Sequence, residues 1–345
     1  MDMAEDKGSK EKSRTYDVVT GATSSLGLHL VRELLKRGDE VRVIVKEHPA
    51  ANAEWRTLPA GCIPYVADIT LKDQSDHETL TSACEGADNI FHLASATYNY
   101  RYRYREMVDT NVIGTENLIR AYLDTKPAQD SRVHIIFTSS VTVYGYQRGE
   151  DLLTEDSEAK PASGYSETKL MAEKVIESFA SADPRIRYTN LRLGTLYGEG
   201  YEHEFFKIFR LIRDGDAKYI GRGDNHLTLV NVSDATDAIM LASENPKSVN
   251  KTYNITDGVL YTQRELLDKA AQFIGTAPPA KSIHPLMARV KAKIAGLNYD
   301  ELEFLMSDRS ISIARARREL GFNPQSSIDV EGKELARKFL KGYNK

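Results

Sequence analysis

A chain of 345 residues that is 41% hydrophobic and 28% charged has enough apolar sequence for one large α/β domain, or for a nucleotide domain with a smaller lobe. Its formal net charge of −4 gives no electrostatic basis for nucleic acid as a main partner. No apolar run approaches the roughly 20 residues that span a bilayer, and Cys62 and Cys84 are too few for a disulfide framework.

Neither cysteine sits in a metal-ligand spacing, so no metal is expected, and the setting expected is reducing and cytoplasmic. Met1–Arg14 is charged and lacks an apolar stretch, which reads as a disordered tail and not as a secretory signal. From Tyr16 to about Leu193, short β-branched runs alternate with amphipathic stretches. The runs Tyr16–Thr20, Glu40–Val45, Ile63–Ala67, Asn89–Ala94, Val133–Thr138 and Ile186–Leu191 predict strands. Between them, Leu26–Arg37, Arg105–Asp124 and Tyr165–Ala180 predict helices. Such alternation predicts an α/β fold with a doubly wound parallel sheet of the Rossmann type. Further on, Phe205–Arg213 and Ser233–Ser243 read as helices and Leu227–Val232 as a strand. The stretch from Leu266 reads as mostly helical with Pro and Gly breaks. The organisation expected is a tail over 1–14, a dinucleotide-binding domain over 15–193, and a smaller, mostly helical substrate lobe over 194–345. Some segments of that lobe return to the main sheet, and the lobe laid against the sheet makes a cleft.

The first strand runs into Thr20-Gly21-Ala22-Thr23-Ser24-Ser25-Leu26-Gly27 and then a helix. Strand, glycine-rich turn and helix form the context a pyrophosphate needs. Gly21 allows the tight turn, Gly27 the close packing of helix on strand, and the helix N-terminus offers N–H groups. Ser24 stands where the usual pattern has its middle glycine, and its side chain is expected to narrow the approach of backbone to phosphate. At the end of the second strand, an acid would take the ribose hydroxyls of NAD and a cation the 2′-phosphate of NADP. Lys46 stands there, followed by Glu47; NADP is the expected cofactor, NAD the possible one, and a merely solvated lysine the plain alternative. Asp68 and Ile69 follow a strand and are expected at the adenine edge. Leu93, Ala94 and Ser95 close the fourth strand beneath the cofactor.

Tyr165 and Lys169 lie four apart, on one face of a helix. A phenol near pKa 10 is a poor base at neutral pH, and a neighbouring ammonium stabilises its phenolate. Taken alone the pair describes any surface helix. The strand Phe137-Thr138-Ser139-Ser140, ending 25 residues before Tyr165, supplies what the pair lacks. Ligands of open α/β sheets bind at the carboxyl ends of strands, which places Ser140 at the substrate oxygen.

The glycine-rich turn, Asn89–Ala94, Asn111–Thr115, the serine strand, the tyrosine–lysine helix and Leu191–Gly198 occur in that order. Together they resemble the extended short-chain dehydrogenase/reductases, the NAD-dependent epimerase/dehydratase superfamily, over about Tyr16 to Pro324. The resemblance implies Tyr165 as acid/base, Lys169 as its partner and Ser140, with Ser139 behind it, as donor to the substrate oxygen. It further implies that Asn111 positions the lysine through water, that Leu193 and Gly194 flank the nicotinamide, and that Thr142 and Thr195 join the substrate contacts. It also implies a homodimer through a four-helix bundle of the helices beginning near Arg105 and Tyr165.

Nucleotide-sugar members of that family tend to carry an Asn at the place of Thr195 and a diphosphate-gripping Arg at the place of Leu227. Gly223-Asp-Asn and Tyr253–Gly258 instead look like members related to 3β-hydroxysteroid dehydrogenases. The expected activity is hydride transfer between nicotinamide and a secondary alcohol or ketone. The alternative is a nucleotide-sugar epimerase or dehydratase with tightly bound NAD, and a lesser one a catalytically silent NAD(P)-binding regulator. Tyr98-Asn-Tyr-Arg-Tyr-Arg-Tyr-Arg105 is either a clasp for an anionic or aromatic substrate or a loop packed at a dimer edge. His203 and His226 are given no role, and Glu150-Asp151 and Glu155-Asp156 read as solvated loop.

Overall fold

The computed structural model describes residues 15–46, 58–97, 103–146, 152–294, 302 and 305–343. Glu47, Glu150, Asp151, the N-terminal tail and residues 98–102 of the aromatic–cationic segment lie outside them. In chain order the strands begin with β1 (Tyr16–Thr20), β2 (Glu40–Val45), β3 (Ile63–Val66), β4 (Asn89–His92), β5 (Val133–Ser140), β6 (Leu152–Leu153), β7 (Ile186–Leu193) and β8 (Thr195–Tyr197). They continue with β9 (Tyr219–Ile220), β10 (His226–Leu227), β11 (Leu229–Asn231), β12 (Lys251–Ile255), β13 (Tyr261–Thr262), β14 (Ser282–Ile283) and β15 (Ser310–Ile311).

Seven of these form one sheet in the order β12-β7-β5-β4-β1-β2-β3, and every neighbouring pair is parallel. The chain moves outward from β1 to β3, then returns to the other side of β1 at β4. That reversal opens a crevice at the carboxyl ends of β1 and β4, where such sheets take their ligands. Both faces of the sheet are buried, which is why its central strands read as near-continuous apolar runs. Val19, Phe91 and Ile136 face helices α1 (Ser25–Arg37) and, further along, Val232–Glu244, while Val18, Ile90 and Ile135 face Gln74–Cys84 (α2) and the helices that follow.

The predicted helix Arg105–Asp124 is three pieces: α3 (Tyr104–Val108), a π-helical turn Asp109–Ile113, and α4 (Gly114–Asp124). The π turn carries Asn111, a position where such widening commonly marks function. Next come α5 (Gly164–Ala182), α6 (Glu202–Arg213), α7 (Val232–Glu244), α8 (Gln263–Phe273), α9 (Pro285–Ile294), α10 (Ala314–Leu320) and α11 (Ile328–Tyr343). The single strand expected over Leu227–Val232 is also corrected. Its first residues pair antiparallel with β13 as β10, its middle pairs parallel with β8 as β11, and Val232 already begins α7. Two partners on different sides of Thr228 divide the run. Helices α6, α8 and α11 share a small core of their own, with Phe209, Ala271 and Phe339 at its centre. No described helix is long and apolar enough to cross a membrane.

Candidate active site

Because all seven strands run the same way, the residues singled out from sequence gather along one edge of the sheet. Gly21 to Gly27 follow β1, Lys46 follows β2, and Asp68 and Ile69 follow β3. Leu93 to Ser95 follow β4, Ser139 and Ser140 end β5, and Leu193 ends β7. Gly21 has a φ of +71°, and a Cβ there would stand 2.7 Å from the Ala94 nitrogen. At Gly27 a Cβ would stand 2.2 Å from the Gly21 oxygen, so neither position admits a side chain. Ser24 needs no glycine, since its φ is −71°. Its hydroxyl turns back on the turn itself, accepting from the Gly27 N–H at 3.0 Å and donating to the Gly21 carbonyl at 2.7 Å. This capping replaces the expected narrowing of the phosphate approach. The first turn of α1 carries no acidic residue, so its N-terminal dipole is left for an anion. A cradle that a Cβ would fill and an unopposed helix N-terminus fit the pyrophosphate of a dinucleotide.

The loop before α6 lies over this turn, which sequence reasoning missed. Ser25 Oγ donates to the Gly200 carbonyl at 3.0 Å, and the Tyr201 hydroxyl accepts from the Leu26 N–H. Gly198 and Gly200 both have positive φ, so the Gly-Glu-Gly pattern was the available signal. At the second strand, Lys46 Nζ stands 3.4 Å from Asp68 Oδ2. Burial raises the Asp68 carboxyl, but hydrogen bonds from Thr70 and the Lys46 charge outweigh it and hold the group below the ordinary carboxylate range.

His92 ties the crevice together from beneath. Its ring nitrogens contact Thr20 Oγ1 at 2.7 Å and Thr115 Oγ1 at 2.8 Å. Burial, aided by the Lys169 charge, pushes its pKa down to about 3, so it is a neutral pin and not an acid. Asn111 makes four bonds. Oδ1 accepts from the Ala96 N–H at 2.7 Å and Ser95 Oγ at 3.1 Å; Nδ2 donates to the Ala96 carbonyl at 3.0 Å and Thr168 Oγ1 at 2.9 Å. It therefore reaches Lys169 through the neighbouring Thr168 and the backbone of α5.

Ser163 and Ser166 form a capping box at the start of α5, which fixes Tyr165 in the first turn and Lys169 one turn on. Lys169 Nζ donates to the Thr138 carbonyl of β5 at 2.8 Å and lies 4.7 Å from the centre of the Phe137 ring and 6.0 Å from that of Tyr165. Burial pushes this ammonium down to about 7, with Glu173 pulling it up. Burial also pushes the Tyr165 phenol up to about 12, with hydrogen bonding to Ser95 pulling it down. Ser140 Oγ accepts from the Thr142 N–H at 3.2 Å and the Thr142 hydroxyl at 2.9 Å. Two accepted bonds leave its proton to donate. Strand alternation turns Ser139 to the other face, where its hydroxyl is buried with no partner among the described residues. Thr195 is exposed at the start of β8, just beyond Leu193 and Gly194.

Behind the lysine lies a buried ion pair that sequence reasoning did not assign. Arg192 reaches both Glu173 oxygens, at 3.0 and 2.7 Å, and donates to the Tyr144 hydroxyl at 2.9 Å. Glu173 stands one turn past Lys169, so a paired carboxylate supports the Tyr165–Lys169 face of α5 from inside. Further along the chain, a cavity of about 480 Å³ borders β10. Arg222 and Arg289 line it together with Asp224 and Asp308, and His226 Nδ1 lies 2.9 Å from Asp308 Oδ1. His203 is at the surface beside Glu204, and Arg103 and Arg105 are exposed.

A doubly wound sheet with a glycine cradle at its first crossover and a serine, tyrosine and lysine on β5 and α5 is the plan of the extended short-chain dehydrogenase/reductases. The chain belongs to the NAD dependent epimerase/dehydratase family, whose model matches residues 18–256. It is an enzyme of that type, an NAD(P)-dependent dehydrogenase, reductase or epimerase. It is 28% identical over 340 residues to a 3-beta-hydroxysteroid dehydrogenase of Mycolicibacterium neoaurum, covering 89% of this chain and 86% of that one. It is 24% identical over 332 residues to a UDP-glucose 4-epimerase of Vibrio cholerae, covering 95% and 96%. The dTDP-glucose 4,6-dehydratase of Streptomyces venezuelae, solved with NAD bound, is similar in fold, with a TM-score of 0.74 at 22% identity over 95% of this chain and 98% of that one.

Proposed function

We propose that this enzyme moves a hydride between nicotinamide and a secondary alcohol or ketone that carries no diphosphate. Residues 15–193 hold the cofactor and residues 194–345 shape the substrate side. Nicotinamide supplies or takes the hydride when the cofactor is bound. Ser140 donates its uncommitted proton to the substrate oxygen, Tyr165 passes a proton to or from that oxygen, and Lys169 stabilises the phenolate by charge. Ser139 supports Ser140 from the opposite face, and Thr142 holds it by accepting none of its proton. The observation that carries the substrate half is Leu227. This half-buried apolar side chain, paired with Tyr261, stands where nucleotide-sugar members grip a diphosphate with a guanidinium. The carboxylates of Asp224 and Asp308, in the cavity that borders β10, oppose an anion further.

The second reading, a nucleotide-sugar epimerase or dehydratase, draws support from Arg222 and Arg289 in the same cavity and from the relatives of that activity. Calorimetric binding of UDP and TDP to the cofactor-loaded enzyme separates the two. Weak binding agrees with the proposal, and micromolar binding to either would defeat it.

NADP is the preferred cofactor in this reading because Lys46 follows β2 with a side chain that is 66% exposed and able to leave Asp68 for a 2′-phosphate. Exposed Ile113 and Met171, on the α3–α4 and α5 faces, support a homodimer through those helices. Free Cys62 and Cys84 suit a cytoplasmic enzyme.

A further inference from the structure

The loop after β4 holds one hydroxyl that the proposed chemistry leaves unused. Ser95 Oγ lies 3.1 Å from Asn111 Oδ1 and is also hydrogen-bonded to the Tyr165 hydroxyl. The Asn111 amide has a fixed orientation, because Oδ1 takes the Ala96 N–H at 2.7 Å while Nδ2 faces the Ala96 carbonyl at 3.0 Å. Oδ1 is thus an acceptor, and the Ser95 proton points to it. While Tyr165 is protonated, the order is Tyr165 O–H to Ser95 O–H to Asn111 Oδ1.

Loss of the phenolic proton to a substrate oxygen reverses the need, since a phenolate only accepts. Rotation about the Ser95 Cβ–Oγ bond redirects its proton to Tyr165, and the proton stays on Ser95. Asn111 Oδ1 is not orphaned, because it keeps the Ala96 N–H. A neutral hydrogen bond is exchanged for a charge-assisted one, which is roughly twice as strong. We propose that Ser95 is a further catalytic residue, whose hydroxyl turns from Asn111 to the phenolic oxygen and stabilises the Tyr165 phenolate alongside Lys169. The inference rests on Tyr165 being the acid/base.

The groups facing Tyr165 leave this part to Ser95. Lys169, on the same helix, is 6.0 Å from the ring centre and already holds the Thr138 carbonyl; Tyr201, from the loop before α6, acts against the phenolate. His92, which ends β4 beside Lys169, is neutral. Burial raises the phenol, and the Ser95 bond is what pulls it back.

The test is to place 3,5-difluorotyrosine at position 165 of the full chain, which brings the phenol into a mild pH range, and to follow its ionisation by fluorine NMR without substrate. Ser95→Ala should raise the midpoint by about one pH unit, on the order of tenfold in the ionisation constant. Ser95→Thr should restore it. An equal or lower midpoint in Ser95→Ala overturns the proposal. Turnover of Tyr165→Phe judges the acid/base reading separately: full activity there removes that reading, whereas an inactive Tyr165→Phe with equal midpoints removes only the role of Ser95.

Discussion

Replacing Lys169 by methionine should abolish activity and yet stabilise the cofactor-free protein. The lysine is buried, and its ammonium, ordinarily at 10.5, is pushed down to about 7. A depression of that size disfavours the charged form at neutral pH by on the order of 4 kcal/mol. Methionine fills nearly the same space without that cost, but gives up the bond to the Thr138 carbonyl and leaves that oxygen unpaired, a loss of about 2 kcal/mol. The net gain is therefore ~2 kcal/mol, or a melting temperature higher by roughly 3 °C. The sign of its pH dependence follows from proton counting. Between about pH 7 and 10.5 the unfolded chain keeps the lysine proton that the folded chain has shed, so wild-type stability rises with pH across that window. Lys169→Met lacks this dependence, so its advantage is greatest below pH 7, falls to nothing at about pH 9, where the lysine's penalty has dropped to the ~2 kcal/mol of the lost bond, and reverses beyond. Thermal melts of both proteins without cofactor, at intervals from pH 6 to about 10, read the gap. A variant that melts below wild type at neutral pH, or a gap indifferent to pH, would show that the buried lysine carries no such cost.

The cofactor site gives two further expectations. Gly27→Ala sets a methyl 2.2 Å from a backbone oxygen that cannot yield, so cofactor affinity should fall by at least tenfold in a fluorescence titration; unchanged affinity would mean the turn does not hold the pyrophosphate. Lys46→Asp places an acid at the end of β2 and faces Asp68 with a like charge. It should shift preference from NADP(H) towards NAD(H), and an unchanged ratio would make Lys46 a solvated lysine.

The doubly wound sheet was legible because strands buried on both faces give near-continuous apolar runs, each followed by a helical period. The edge of the sheet was legible for the same reason: parallel strands put every strand-end motif on one side. What escaped was set by contacts distant in sequence. Helix α2 went unread because its apolar face is weak, although Asp73 and Asp76 form a capping box that signals its start. The run around Thr228 looked like one strand, because period-2 alternation cannot say that its two halves pair with strands over thirty residues away in opposite directions. Arg192 sits in the Leu191–Gly198 segment and Glu173 one turn past Lys169, yet only the packing of α5 on β7 makes them a buried pair. Ser95 was expected beneath the cofactor, and its link between Asn111 and Tyr165 depends on the π turn that aims Asn111.

In the proposed reaction Tyr165 carries the proton in net oxidation or reduction of an alcohol or ketone. Absorbance at 340 nm, followed for a panel of hydroxy and keto compounds and of nucleotide sugars with NADP(H) and NAD(H), tests it on the wild type and on Tyr165→Phe. Net cofactor turnover is expected with one or more of the unphosphorylated compounds, falling by on the order of 10² to 10⁴ in Tyr165→Phe while cofactor affinity is kept. Wild-type turnover in Tyr165→Phe, or epimer formation from a nucleotide sugar with no net change at 340 nm, would contradict it.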